Sequence, residues 1–174
     1  MSTEFDGMPA FDEGRGELVG SNGEDYVVIS AEALRRINKQ EEMMLGTGSW
    51  VIWYNSGKSV GKTDGQKYAP LMQTMDVDKV ANYLRQTYAR YGWGSVVFGG
   101  IDLKSGELVF TVSNSPLVRG IKSREPQCWF VRGFVEGLTS ELLGSECTAM
   151  EVACQAVNGD HCEFRLRWNS EIQK

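Results

Sequence analysis

Three of the four cysteines, Cys128, Cys154 and Cys162, fall within 35 residues of one another in the last third of the chain. A fold that uses them together must bring the segment opening at Cys128 against a second segment carrying the other two. Glu151 stands three residues before Cys154. Three thiolates and a carboxylate form a soft, sulfur-rich set that suits zinc better than magnesium or calcium. Ionised, the four groups leave a net charge of about −2 around a divalent ion, which a neighbouring cation such as Arg165 would offset in part. Spacing alone keeps a second reading open, that of ordinary buried thiols, because free cysteine behaves as a small hydrophobe. Cys147 fits no ligand pattern and belongs with that second reading. His161, the single histidine, is the rival for the fourth ligand place, but neighbours on a strand diverge, and Glu151 ranks ahead of it. Residues three apart on a regular strand also face opposite ways, so a bulge or bend is expected between Glu151 and Cys154.

The elements around this cluster follow from local patterns. Tyr26–Ile29 is a β-branched run expected as a strand. Ser30 is placed to cap a helix over Ala31–Leu45, which Gly46 ends. Residues 49–54 form a short apolar run that pattern alone assigns neither to strand nor to helix. Asp76 opens a helix with Val77, Val80, Leu84, Tyr88 and Tyr91 at helical spacing and Gly92 beyond it. Val96–Phe98 and Leu108–Val112 flank Ser105-Gly106 and read as a hairpin. Pro126 suits the first turn of a helix to Leu143, with Val131, Val135, Leu138 and Leu142 on one stripe and Gly144 as its stop. Strands over about 148–156 and 162–168, joined by the turn Val157-Asn-Gly-Asp160, close the chain. Helices and strands come in runs rather than in alternation, which predicts an α+β fold: an antiparallel sheet with helices packed on it.

Charge narrows the partners. The first 25 residues carry seven acids against Arg15, a net of −6, so the rest sums to +1 by difference from −5. Residues 1–24 read as an acidic flexible tail, and 25–174 as one domain. A near-neutral body without a basic stripe gives no reason to expect nucleic acid. No apolar run is long enough for a membrane span, and no signal-like segment opens the chain, so cytoplasm and reduced thiols are expected. Asn55–Thr63 ends in Gly-Lys-Thr, but Gly57 and Gly61 enclose three residues where a phosphate-binding loop needs four, and the comparison fails.

From Cys128 to Phe164 the chain reads CWFVRGFVEGLTSELLGSECTAMEVACQAVNGDHCEF. The Cys-Trp opening, Gly133 and Gly137, the Glu151-x-x-Cys154 pair, and a glycine-containing turn leading to Cys162 resemble the 4-vinyl-reductase-type, hydrocarbon-binding domain of small prokaryotic proteins and of aromatic-responsive regulators. More loosely, the segment near Tyr26–Leu45 and the Gly57–Gly61 pair look like that family's N-terminal half. The resemblance implies a fold shared with TRAPP vesicle-tethering subunits, a homodimer, and a lipophilic cavity between helices and sheet. It also implies that residues 50–62 are helical, and that Cys128, Glu151, Cys154 and Cys162 bind zinc. The function so implied is a zinc-containing sensor or carrier for a hydrophobic aromatic or tetrapyrrole-like ligand. Trp93, Phe98, Phe110, Trp129, Phe130 and Phe134 are candidate cavity residues, although aromatics at such spacing also serve as plain core. Gly133 and Gly137 share a helix face and would let another backbone approach, in packing or at a dimer contact. Two further readings stay open. One is a protein–protein adaptor. The other is a vinyl reductase component, with Glu151 and His161 as acid and base; no redox-cofactor motif accompanies it, and no catalytic residue is assigned.

Overall fold

The structure, a computed structural model, describes residues 8–20 and 23–169. Residues 1–7, 21 and 22 of the acidic segment lie outside the described residues. Between them a short hairpin pairs β1 (Ala10–Asp12) with β2 (Glu17–Val19). Its turn is held by Asp12 Oδ1, which accepts from the Gly14 and Arg15 N–H groups at 2.9 and 3.1 Å.

The expected strand at Tyr26–Ile29 does not form. The segment is extended, but only the Tyr26 N–H bonds outward, to the Leu18 carbonyl, and Val27 and Val28 are 90% and 85% exposed. β-branched residues favour an extended backbone, yet a strand also needs a partner edge, which local sequence cannot supply. Helix α1 (Ala31–Leu45) starts at Ser30, whose Oγ accepts from the Ala33 N–H at 3.1 Å, and stops at Gly46 with φ 57°. Helix α2 (Gly48–Tyr68) absorbs the ambiguous apolar run and the whole phosphate-loop look-alike before a 3-10 turn containing Pro70 ends it. Helix α3 (Val77–Arg90) is capped by Asp76.

Strands β3 (Ser95–Asp102) and β4 (Glu107–Ser113) make the first hairpin. Helix α4 (Trp129–Leu143) begins three residues after Pro126, not around it, because Gln127 donates its N–H to Cys154 Sγ at 3.4 Å and turns the chain aside. The closing hairpin is also more elaborate than expected. Strand β5 (Cys147–Ala153) ends early, and a single turn of helix α5 (Gln155–Asn158) precedes β6 (His161–Trp168). That turn is tied to the loop before α4, with Ser123 N–H donating to the Ala156 carbonyl at 2.8 Å and Ser115 N–H to Gln155 Oε1 at 3.0 Å.

The four long strands form one antiparallel sheet in the order β3-β4-β6-β5. Alternate residues Leu108, Phe110, Val112, Phe164, Leu166 and Trp168 face inward, and with Val80, Leu84 and Tyr88 of α3 and Val131, Val135 and Leu138 of α4 they make the core. The fold is therefore the α+β arrangement expected.

Helix α2 packs against α4 through interleaved glycines. A Cβ on Gly57 or Gly61 would run into the backbone carbonyls of Phe130 and Phe134, and one on Gly133 or Gly137 into those of Tyr54 and Lys58. The Gly57–Gly61 spacing that failed as a phosphate loop thus serves close backbone approach. Each glycine costs about 1 kcal/mol of helix propensity; dense packing along the crossing offsets it.

Between the same helices Glu136 is 2% exposed. It accepts from Lys58 Nζ at 2.8 Å, from the Tyr54 hydroxyl, and from the Ala149 N–H of β5 at 2.9 Å. One turn earlier Arg132 donates through Nε to the Ala149 carbonyl at 2.7 Å. Burial opposes the Glu136 charge, but Lys58, Tyr54 and the Ala149 amide together hold its carboxyl below the usual range. A depressed carboxyl contributes stability above its unfolded pKa and loses it as pH falls through the folded one. Denaturant melts between pH 7 and 3 are expected to show that slope flattened in Glu136→Gln. At pH 7 Lys58→Met, which strands the buried charge, costs about 2–4 kcal/mol. Adding Glu136→Gln to it recovers part of that loss.

Candidate metal and ligand site

The structure brings Cys128, Glu151, Cys154 and Cys162 together, with one ligand atom of each inside a span of 4.8 Å. Three elements position them. Cys128 occupies the N-cap place of α4, Glu151 lies near the end of β5, and Cys154 and Cys162 bracket α5 at its junctions with the two strands. The expected irregularity is present. Pairing with β6 slips between Glu151 and Ala153, so Val152 is the extra residue of a bulge that turns Glu151 toward the sulfurs.

Cys128 Sγ stands 3.3 Å from Cys162 Sγ and 3.9 Å from Cys154 Sγ, far beyond the ~2.05 Å of a disulfide. Backbone donors point in from three sides: Gln127 N–H to Cys154 Sγ at 3.4 Å, Gln155 N–H to Cys162 Sγ at 3.3 Å, and Cys128 N–H to Glu151 Oε2 at 3.2 Å. The other Glu151 oxygen, Oε1, is buried with no partner. Burial, with the Cys154 sulfur adding to it, pushes the Glu151 carboxyl up to about 8. Cys154 is driven the other way by hydrogen bonds from the Cys128 and Cys162 thiols. Four acceptor groups crowded out of water around an orphaned oxygen fit a bound cation, and the set could hold a metal ion.

Arg165 does not neutralise the cluster. It is an odd number of residues from Cys162 on β6, so it faces outward, 65% exposed and 3.4 Å from Glu163. The favourable field comes from the amides and from the N-terminus of α4. His161 also stays out. Its ring is 41% exposed, 3.8 Å from Glu163. Cys147 is buried away from the set, its thiol pushed up to about 12 by burial.

On the other side of the first turn of α4 lies a cavity of about 360 Å³. Phe130 and Val131 form one wall, Ile29, Ala31 and Leu34 the facing one, and Trp53, Tyr91, Trp93 and the 115–117 loop close the rest. No lining side chain is charged. The indole N–H of Trp53 is buried without an acceptor. Of the six aromatic candidates, Trp93 and Phe130 line this space. Phe110 and Phe134 are core, 1% and 0% exposed, and Phe98 borders a crevice of about 40 Å³ near α3. Trp129 turns toward α2, where it stacks on Trp50. Sequence reading missed Leu34, Trp53 and Leu117 because the cavity is assembled from α1, α2 and a loop, and only tertiary contact unites them. The apolar stripe of α1 was the available signal: among its described residues none is buried, so its apolar side faces open space.

Residues 108–168 match the family model of the vinyl-4-reductase (V-4-R) domain. Among solved structures, the chain is similar to the phenol-responsive sensory domain of the transcription activator PoxR with phenol. That likeness has a TM-score of 0.78 and 19% identity, over 95% of this chain and 87% of that one. A vinyl-4-reductase family protein from Methanocaldococcus jannaschii gives 0.52 and 19%, over 84% and 99%. A trafficking protein particle complex subunit 3 from Naegleria fowleri, covalently bound to palmitic acid, gives 0.53 and 11%, over 80% and 95%. At these identities the likeness is one of fold. No curated protein matches. Among the described residues no helix is long and apolar enough to cross a membrane.

Proposed function

Starting from a C-terminal vinyl-4-reductase-type segment on the fold shared by those three proteins, we propose that this chain is a small-molecule receptor domain. It takes a neutral, largely apolar aromatic ligand into the cavity between α1 and α4. The observation that carries this reading is the cavity itself: about 360 Å³ of enclosed space without a charged lining residue, within the size range of ligand pockets. Burying a charged ligand there would leave its charge unpaired, which is prohibitive. One unpartnered indole N–H, that of Trp53, favours a ligand with a single acceptor such as a hydroxyl. No histidine lines the cavity, which argues against a haem-like occupant held through an axial ligand.

Zinc is the ion assigned to Cys128, Glu151, Cys154 and Cys162. Zn–S bonds of ~2.3 Å in a tetrahedron place sulfurs ~3.8 Å apart, and the 3.3 and 3.9 Å separations bracket that edge. With all four places taken by protein, the ion is structural. It fixes the first turn of α4, whose next two side chains, Phe130 and Val131, are cavity wall.

An adaptor of the same fold has no use for an open cavity, so occupancy separates the two readings. Titration with 1-naphthol is expected to raise Tm, by the equivalent of about 2.7 kcal/mol at a hundredfold excess over Kd. Leu34→Trp, which fills the cavity, should abolish the shift while metal content is unchanged. A wild type indifferent to 1-naphthol, phenol and naphthalene alike, with no co-purifying mass in native mass spectrometry, would sink the receptor reading. The same spectra report whether the chain is the homodimer that the resemblance implies.

A further inference from the structure

Away from the cavity and the sulfur cluster, the N-terminal turns of α2 and α4 flank a groove of about 540 Å³, lined by Thr47, Trp50, Val51, Tyr54, Trp129 and Arg132. Trp50 and Trp129 stack there, ring centroids 5.1 Å apart and planes within 12°. The Arg132 guanidinium lies over the faces of Tyr54 and Trp129, at 5.4 and 5.8 Å from their centroids. Among the described residues only its Nε is bonded, to the Ala149 carbonyl. Among the same residues no carboxylate pairs with it, and Glu136, one turn along α4, is already engaged by Lys58, Tyr54 and the Ala149 amide. The Trp129 indole N–H is likewise buried without an acceptor.

A half-buried arginine whose charge is met by aromatic faces alone lacks its natural counterpart. Its free fork matches two coplanar oxygens, the geometry of a carboxylate. The remaining lining is aromatic and aliphatic and suits the flat body of an arene, whereas a polyanion such as a phosphate would find one cation and an apolar wall. From this we infer that the groove is a second ligand site, separate from the cavity, for an aromatic carboxylate. The carboxylate takes two N–H groups of Arg132, the Trp129 indole lies within the same wall, and the ring rests against Trp50 and Val51.

The test uses benzoate and its uncharged isostere benzamide, followed through the indole N–H signals of the ¹⁵N-labelled full chain. Benzoate is expected to shift the Trp129 and Trp50 signals saturably, and benzamide to bind at least tenfold more weakly. Arg132→Gln should weaken benzoate at least tenfold. Because Arg132 also holds β5, Val51→Glu provides an independent arm: Val51 is 60% exposed, so the fold is untouched while the added charge repels the carboxylate by a similar factor. Leu34→Trp, with its cavity filled, should bind benzoate as wild type does. Equal affinity for benzoate and benzamide overturns the inference. So does benzoate binding that survives Val51→Glu but is lost in Leu34→Trp, which would put the ligand in the cavity. Absence of saturable shifts in the wild type overturns it too, whether the groove is empty or a second copy of the chain covers it in the native mass spectrum.

Discussion

Gly61→Val is expected to leave little folded protein at 25 °C. A Cβ at this position would strike the Phe134 carbonyl and crowd the Leu138 amide, which are backbone atoms of a hydrogen-bonded helix and cannot swing aside as a side chain can. Overpacking a core lined by side chains costs about 1–3 kcal/mol. Here the obstacle is rigid and valine adds three carbons, so the loss exceeds that range and consumes much of the roughly 5–15 kcal/mol that holds a domain together. The helices would have to separate along the whole crossing, because Gly57, Gly133 and Gly137 meet backbone in the same way. Two comparisons calibrate the effect in urea melts followed by circular dichroism. Gly65→Ala, which meets the Glu141 side chain and one carbonyl, should be damaging but less so. Gly48→Ala, whose nearest neighbour is 3.7 Å away, should be neutral or stabilise by up to about 1 kcal/mol. A Gly61→Val protein that melts like the wild type would mean that α2 and α4 do not interlock in this way.

The second large effect is that of Cys154→Ser. The purified wild type should carry about one zinc per chain by mass spectrometry, and the variant should carry none. Binding energy that exists only in the folded state is folding energy. Losing three to five kcal/mol of it lowers Tm by roughly 10–15 °C in a domain of this size. Glu151→Ala should be milder, since three thiolates remain and water can take the fourth place, and Cys147→Ser should keep its metal. Because the ligands must be deprotonated, zinc affinity should fall as the solution is acidified. Wild type that is folded and metal-free at neutral pH would leave the cysteines as core residues.

What could be read in advance depended on whether the cause was local. Ser30 and Asp76 caps, Gly46 and Gly144 stops, and the apolar stripes of α3 and α4 act within one turn of chain, and those helices appear close to where pattern placed them. The bulge after Glu151 was legible for a different reason: strand geometry forbids two ligands three apart from sharing a face, so the backbone had to yield. Tyr26–Ile29 failed because pairing needs an edge elsewhere in the fold. Glu136 gave no sign of itself, since a lone acid on a helix reads as solvated surface until Lys58, Tyr54 and Ala149 are seen around it. The cavity was legible only in its aromatic character. Trp93 and Phe130 point into it while Phe110 and Phe134 do not, and the difference lies in the rotation of packed elements, which no spacing encodes.

The paired side chains of α4 that grip both backbone groups of Ala149 bear on the protein's behaviour in a crowded solution. Strand β5 is the outer strand of its sheet, and an outer strand with vacant amide and carbonyl groups is a template on which a foreign chain can deposit. Here the donor and acceptor at its midpoint are occupied from within, by Glu136 and Arg132. Growth of the sheet by accretion is thereby refused on that flank. Aggregates formed on partial unfolding should accordingly begin at the opposite border, along β3, where Gly99 and Gly100 and a break in register leave the margin less well guarded.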